Sequence, residues 1–201
     1  MDRTTLDVYD RHAADYAREW HEQPAPDDMY ALLERYFEPG PTVDVGCGAG
    51  RDVAWLASRG FDACGYDGSA SLVAEARRSH PALRFEQARL PELAGVPSGA
   101  FRNVLCETVI MHLPSSDVDA ALARLVALLA PGGTLYLSWR VTTGDAQRDG
   151  RGRLYEVVDT PRVHAALGDA CEVLFEHEKV SASSGKRVHR LVVRKDARAA
   201  G

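Results

Sequence analysis

What the sequence lacks already narrows the class of protein. No apolar run approaches the ~20 residues that a membrane-spanning helix requires, and residues 1–12 contain no apolar segment like that of a secretory signal. The cysteines are scattered, without the C-x-x-C pair that would indicate zinc or a disulfide framework. They are Cys47, Cys64, Cys106 and Cys171. We therefore expect a cytoplasmic protein that has no membrane contact and no bound metal.

Basic charge is also in short supply. The chain of 201 residues carries 24 Lys and Arg against 29 Asp and Glu, which gives a formal net charge of -5. A protein that binds the nucleic-acid backbone usually has a basic surface, and the one basic run here, residues 148–153, is interrupted by Asp149 and two glycines. We therefore expect no nucleic-acid partner. The composition, 45% hydrophobic and 26% charged, is that of an ordinary globular domain.

Strand and helix patterns alternate through the middle of the chain. Strands are predicted at 42–45, 61–66, 83–87, 101–106 and 134–139, and helices at 51–59, 69–79 and 115–130. Outside this region, the patterns predict helices at 5–22, 27–37 and 160–167, a mobile surface loop at 141–153, and a hairpin of strands 171–180 and 186–194. Alternation with short links predicts an α/β fold, a parallel sheet with helices on both faces.

The most informative segment is VDVGCGAGR, residues 43–51. Strand, glycine loop and helix form the layout of a nucleotide-binding crevice, in which glycines allow close approach and the helix start offers free N–H groups. A dinucleotide fingerprint needs a third glycine where this chain has Arg51. Asp44, at the end of an apolar strand, would repel a pyrophosphate and attract a cation. S-adenosylmethionine, which has a cationic sulfur and no phosphate, meets both conditions.

Residues 43–50 resemble the first motif of the class I S-adenosylmethionine-dependent methyltransferases. Further similarities to that family occur in order at 83–90, 101–107, 109–114 and 128–137, and the terminal hairpin is similar as well. The resemblance implies a Rossmann-like, doubly wound, seven-stranded sheet, mostly parallel with an antiparallel C-terminal hairpin strand, in the order 3-2-1-4-5-7-6. It implies one domain, 1–201: an N-terminal helical lid (1–40), a cofactor-binding core (41–140), and a substrate loop, helix and hairpin (141–201).

The cofactor-binding residues are inferred from the glycine loop, the second strand and the family segments that follow. They are Asp44, Gly46, Cys47, Gly48, Gly50, Arg51, Asp67, Gly68, Ala88, Arg89, Leu90 and Glu107. Asp67, about 20 residues past the glycine loop, suits the ribose hydroxyls, although it could simply start the turn into the next helix. In the segment that resembles the adenine site, either the backbone of residues 88–90 holds the base or Arg89 stacks on it.

The remaining candidates concern the methyl acceptor. Glu107 and His112 are the candidate catalytic residues: Glu107 orients the substrate or cofactor or takes up a proton, unless it is merely a satisfied loop carboxylate, and His112 is the other candidate base. Tyr9, Tyr16 and Trp20 are predicted to form an aromatic lid. Arg140, Arg153 and Tyr155 follow the fifth strand, where a guanidinium could clamp a substrate carboxylate.

The predicted function is methyl transfer from S-adenosylmethionine to a nitrogen or oxygen, possibly a sulfur, of a small molecule, with S-adenosylhomocysteine as the product. The protein is expected to act as a monomer or homodimer. The alternatives are an NAD-dependent oxidoreductase, a nucleic-acid methyltransferase and an accessory protein that binds the cofactor without catalysis. Arg51 and Asp44 disfavour the first, and the absence of an Asn/Asp-Pro-Pro-Tyr/Phe sequence after the fourth strand disfavours the second.

Overall fold

The computed structural model describes residues 1–197 and is built around one seven-stranded sheet. Its strands are β1 (Pro41–Val45), β2 (Asp62–Asp67), β3 (Arg84–Gln87), β4 (Phe101–Cys106), β5 (Leu129–Arg140), β8 (Cys171–Val180) and β9 (Arg187–Lys195), with a separate two-residue pair, β6 (Gln147–Arg148) and β7 (Leu154–Tyr155). The order is β3-β2-β1-β4-β5-β9-β8. Strands β1 to β5 are parallel, and β9 is antiparallel to β5 and β8. The predicted fold class and strand order are confirmed.

The helices cover both faces of this sheet and the crevice above it. They are α1 (Arg3–Arg11), α2 (Ala13–Glu22), α3 (Asp27–Tyr36), α4 (Arg51–Ser58), α5 (Ala70–Ser79), α6 (Ser115–Leu128) and α7 (Thr160–Leu167), with a 3-10 turn at Ile110–His112. The prediction of one helix over residues 5–22 is wrong, because His12 leaves the helical region (φ -117°, ψ 21°) and divides it. Packing at the two ends overrides the amphipathic pattern: Asp10 bonds to Ser69 on one side and Trp20 lies on Gly48 on the other.

Alternation along the strands divides the core into two layers. On β4 and β5, Val104 and Leu135 pack in the layer that contains α6, whereas Leu105 and Tyr136 pack in the layer that contains α3 and α4. The first 40 residues, predicted as one helical lid, fall into two parts. Only α1 and α2 lie over the crevice, because α3 buries Met29 and Leu33 in the second layer.

Two connections differ from their predictions. Helix α6 ends at Leu128 and β5 begins at once, since Leu129 already pairs with Phe101 across a register shift, so Pro131-Gly132-Gly133 lies inside the strand and not before it. The predicted mobile loop 141–153 instead contains β6, which pairs with β7 and is tied to the amino-terminal helices. Arg148 bonds the Asp2 carboxylate at 2.8 Å, and Arg151 bonds Glu19 at 2.8 Å. The last four residues of the predicted 141–201 part lie outside the described residues.

Within residues 1–197, none of the helices is both long and apolar enough to cross a membrane.

A buried amide joins β1 and β4 to the chain that precedes them. Asn103 donates to the Glu38 carbonyl (2.7 Å) and to Thr42 Oγ1 (2.8 Å), and it accepts from the Glu38 N–H (3.2 Å). Asn103→Leu removes all three bonds and leaves buried groups without partners. We expect a loss of about 1–3 kcal/mol in the free energy of unfolding, measured by urea denaturation. Gln147→Leu, an exposed amide on β6, is the control, and equal losses in both variants would contradict the assignment.

Candidate functional site

The carboxyl ends of the parallel strands open into a cavity with a volume of about 1000 Å³. Its floor is the glycine loop after β1 and the ends of β2 and β4. Helices α1 and α2 cover one side, and the turn between β8 and β9 closes the other. Of the predicted site residues, those in the cavity wall are Tyr9, Tyr16, Trp20, Gly46, Cys47, Gly48, Arg51, Asp67, Glu107, His112, Arg140, Arg153 and Tyr155.

Three glycines of the loop, Gly46, Gly48 and Gly50, have a positive φ and neighbours too close for a Cβ. Gly46 has φ +83°, and a Cβ there would lie 2.2 Å from Val109, while Gly48 has φ +53° and a Cβ would lie 2.7 Å from the Trp20 ring. The left-handed conformation and the close neighbours both require glycine. The Gly46 N–H donates to the Tyr66 carbonyl at 2.7 Å, which fixes the loop against the end of β2. Gly50, also at positive φ, precedes the first residue of α4.

Asp67 at the end of β2 is held by backbone groups. Its Oδ2 accepts the Gly48 N–H at 2.9 Å and its Oδ1 accepts the Ser69 N–H at 2.8 Å. The helix-cap role belongs to Ser69, whose hydroxyl accepts the Leu72 N–H. Burial raises the pKa of Asp67 although these hydrogen bonds oppose the shift. The carboxylate is therefore fixed in the cavity wall, where its second lone pairs can accept hydroxyl donors.

Negative charge accumulates at this end of the cavity without an equal positive charge. Asp44 is 3% exposed, and no group within residues 1–197 donates a hydrogen bond to its carboxylate. Burial first, and then Asp52 and Asp67 nearby, raise the pKa of Asp44 well above its usual range. The nearby cation, Arg51, already pairs with Asp52 at 2.9 Å. A bound cation would relieve this imbalance and favour the ionised carboxylates.

Glu107 continues the row of carboxylates at the end of β4. Its Oε2 accepts a hydrogen bond from the Ser138 hydroxyl of β5. Burial raises the pKa of Glu107, while Ser138 and then the buried Arg190 guanidinium oppose that shift. Arg190 itself pairs with Asp28 at 2.7 Å. Glu107 is thus a carboxylate of the cavity wall whose position is fixed by its hydrogen bond from Ser138.

His112 is buried, and both of its ring nitrogens are engaged. Nδ1 lies 2.5 Å from the Leu154 carbonyl, which can only accept, so this nitrogen carries the proton. Nε2 therefore accepts from the Tyr9 hydroxyl at 3.0 Å, and Arg153 donates to the same hydroxyl at 3.3 Å. Burial lowers the pKa of His112 to about 4. A neutral imidazole with no free lone pair is a poor base.

The three predicted lid aromatics pack on one another above the glycine loop. The Tyr9 and Tyr16 ring centroids are 5.1 Å apart, and those of Tyr16 and Trp20 are 5.4 Å apart and stacked. Leu72 of α5 completes this cluster. The aromatic side chains thus both cover the cavity and fix α1 and α2 on it.

The segment expected to bind adenine lies outside the cavity wall. Ala88 donates its N–H to the Asp67 carbonyl, Arg89 points into solvent, and Leu90 is buried in the core. Gly68 and Asp44 also lie behind the wall. At this end, Leu6 of α1 and Leu72 of α5 line the cavity instead. The backbone contact predicted for residues 88–90 is not brought to the cavity in this structure.

Several cavity residues were missed from the sequence, above all in the turn between β8 and β9. They include Met1, Leu6, His21, Asp52, Leu72, His80, Thr108, Val109, Ser181, Ser183, Ser184, Lys186 and Val188. A signal for the turn was available. Because β9 runs antiparallel to β5, it begins at the edge where the parallel strands end, so the turn before it must lie beside the cavity.

A Rossmann-like sheet binds its ligand at the carboxyl edge of the strands. The acidic glycine loop at that edge disfavours a phosphate group, so the site suits an adenosine derivative that has none. Residues 42–133 match the family model described as a methyltransferase domain. Over 115 residues the chain is 39% identical to a trans-aconitate 2-methyltransferase of Deinococcus radiodurans, a match that covers 56% of this chain and 42% of that protein.

Two further comparisons extend over more of the chain. A trans-aconitate 2-methyltransferase of Paracidovorax citrulli is 31% identical over 174 residues, 83% of this chain and 63% of that protein. The 1,6-didemethyltoxoflavin-N1-methyltransferase of Burkholderia thailandensis shares the fold, with a TM-score of 0.76 at 22% identity over 96% of this chain and 88% of that one. The chain spans less than two thirds of the length of both curated relatives.

The chain is thus similar to methyltransferases in two ways, by the family model over residues 42–133 and by its fold over most of its length. These similarities agree with the family and the cofactor inferred from the sequence.

The raised pKa values generate a prediction about cofactor binding. Asp44, Asp67 and Glu107 have raised pKa values without ligand, and a cationic ligand favours their ionised forms, so binding must release protons. The dissociation constant for S-adenosylmethionine should therefore rise as the pH falls from 8 to 5.5. Calorimetry in buffers of different ionisation enthalpy measures both effects. Binding that neither releases protons nor depends on pH would show that these carboxylates do not sense the ligand.

Proposed function

We propose that the protein transfers the methyl group of S-adenosylmethionine to a small-molecule acceptor, releasing S-adenosylhomocysteine. The observation that carries the proposal is the excess of buried carboxylate at the glycine loop, with Asp44 unpartnered among residues 1–197 and Arg51 already paired with Asp52. A pyrophosphate would be repelled there, which disfavours the NAD-dependent oxidoreductase. A phosphate-free cation would be attracted.

The residues that would hold the cofactor lie along the floor of the cavity. Asp67 would accept the ribose hydroxyls through the lone pairs that Gly48 and Ser69 leave free, and the loop at Gly46 would admit the methionine part. Asp44 would supply charge from beneath. When bound, the cofactor supplies a methyl group already activated by the positively charged sulfur. The protein then has to align the acceptor with the methyl group, exclude water and balance the charge. In ideal intramolecular cases, alignment alone lowers the activation barrier by roughly 7–11 kcal/mol.

Glu107 is our proposed positioning group for this alignment, in its ionised form. It lies at the end of β4 with one oxygen fixed by Ser138, and a carboxylate there attracts the cationic part of the cofactor. His112 is not used as a base, because both of its nitrogens are engaged and its pKa is about 4. Its proposed role is to hold Tyr9, and thereby α1, over the cavity.

The proposed acceptor is small because the cavity is covered on two sides. Helices α1 and α2 and the turn between β8 and β9 leave about 1000 Å³ for cofactor and acceptor together. A net charge of -5 also disfavours a nucleic-acid substrate. The proposed setting is the cytoplasm, with the protein acting as a monomer or homodimer.

The ribose assignment is tested by Asp67→Asn. The amide keeps the size but loses the charge and one acceptor, so the dissociation constant for S-adenosylhomocysteine should rise about ten-fold or more. Asp62→Asn, at the other end of the same strand and 68% exposed, is the matched control and should leave it unchanged. Equal affinities in Asp67→Asn and the parent protein, measured by calorimetry, would remove Asp67 from the site.

The role of Glu107 is tested by Glu107→Gln in a methyl-transfer assay. Loss of the negative charge should lower kcat about ten-fold or more, with the affinity for S-adenosylhomocysteine reduced much less. Glu86→Gln, on the exposed side of β3, should behave like the parent protein. Parental turnover with intact cofactor binding would end the assignment of Glu107.

A further inference from the structure

Arginine and lysine side chains line the cavity at six positions, and most are already neutralised. The six are Arg18, Arg51, Arg78, Arg140, Arg153 and Lys186. Four have a carboxylate partner: Arg18 with Asp15, Arg51 with Asp52, Arg78 with Glu75 and Arg153 with Asp149. Within residues 1–197, Arg140 and Lys186 have no carboxylate partner. The uncompensated positive charge of the cavity is therefore concentrated at these two residues.

The sheet brings these two residues to one edge. Arg140 is the last residue of β5 and pairs with Val188 of β9, and Lys186 immediately precedes β9 in the turn after β8. The Arg140 guanidinium lies 4.8 Å from the centre of the buried Tyr155 ring and also interacts with the Tyr155 hydroxyl, but it has no carboxylate partner among residues 1–197. Arg153, by contrast, is held by Asp149 and Tyr9. The clamp predicted from Arg140 and Arg153 is therefore reassigned to Arg140 and Lys186.

The position relative to Glu107 suits a small acceptor. Ser138, which bonds Glu107, lies two residues before Arg140 on the same face of β5, and this spacing corresponds to about 7 Å along the strand. The acidic half of the cavity, at β1 and β2, would take the cationic cofactor. The basic half, at β5 and β9, would take an anion. The two ligands would then meet near Glu107.

The state of the candidate base narrows the acceptor further. Alcohols and amines arrive protonated at neutral pH and need a base. His112 has no free lone pair to offer, and Glu107, the other candidate, is assigned above to positioning in its ionised form with one oxygen bonded to Ser138. A carboxylic acid is already ionised, and the planar guanidinium of an arginine binds a carboxylate through a two-pronged contact. Resting on the function proposed above, we infer that the acceptor is a carboxylate, anchored by Arg140 and Lys186, and that the product is its methyl ester.

The transfer then balances without any proton movement. A carboxylate oxygen attacks the methyl carbon, the carbon–oxygen bond forms as the carbon–sulfur bond breaks, and the electron pair of the broken bond stays on sulfur. The anion and the sulfonium cation become a neutral ester and a neutral thioether. Arg140 and Lys186 hold the acceptor in line.

Binding of simple carboxylates to the protein saturated with S-adenosylhomocysteine is the first test. Calorimetry with trans-aconitate, succinate and benzoate, compared with succinamide and benzamide, should show binding of at least one carboxylate and about ten-fold weaker binding of the amides. Arg140→Gln should weaken the carboxylate about ten-fold and Lys186→Gln roughly three-fold. Arg187→Gln, next to Lys186 but paired with Glu178 outside the cavity, is the matched control.

Each outcome decides a separate point. Failure of the parent protein to bind S-adenosylhomocysteine would overturn the proposed function itself. Normal S-adenosylhomocysteine binding with no carboxylate bound, or with amides bound equally well, would overturn only the carboxylate assignment. Carboxylate binding that Arg140→Gln and Lys186→Gln leave unchanged, although both variants retain parental S-adenosylhomocysteine affinity, would overturn the anchor. In the transfer assay, a methyl ester is recognised because alkali releases methanol from it, and a base-stable product would contradict ester formation.

Discussion

The rest of the site depends on buried carboxyl groups at the ends of β1, β2 and β4 that outnumber the cations beside them. Asp44 has no hydrogen-bond donor among residues 1–197, Asp67 and Glu107 lie in the neighbouring wall, and Arg51 is already committed to Asp52. Ionising a buried carboxyl group with no cation of its own is costly, and burial together with Asp52 and Asp67 raises the pKa of Asp44 well above its usual range. A cationic ligand would offset that cost, and the carboxylates thus select the class of ligand.

The sheet topology places acidic side chains at one end of the cavity and basic side chains at the other. The parallel strands bring Asp44, Asp67 and Glu107 to one edge, and the antiparallel β9 returns to that edge beside β5 with Lys186 and Arg140. Opposite charges therefore lie at opposite ends of one space. The amino-terminal helices close it from above, held by the bond between Tyr9 and His112 and by the ion pair between Arg148 and Asp2.

The glycine loop and Asp67 could be predicted because they follow from local rules, whereas the strand order came from the family resemblance. The spacing of the glycines and the alternation of strand, loop and helix patterns can be read from the sequence itself. Other features depend on contacts between distant residues. Leu90 is buried in the core, Arg153 forms an ion pair with Asp149, and the helix predicted at 5–22 is divided at His12. No spacing rule reports which guanidinium remains unpaired, since that depends on carboxylates supplied by other parts of the chain.

The most direct test of the acidic crevice compares two adenosine-containing ligands on the unmodified protein. S-adenosylmethionine and NADH, titrated side by side by calorimetry under the same conditions, differ in the feature that matters: one carries a sulfonium cation and the other a pyrophosphate. Buried carboxylates at the glycine loop predict binding heat for S-adenosylmethionine and none for NADH. Clear heat for NADH with none for S-adenosylmethionine would contradict the account.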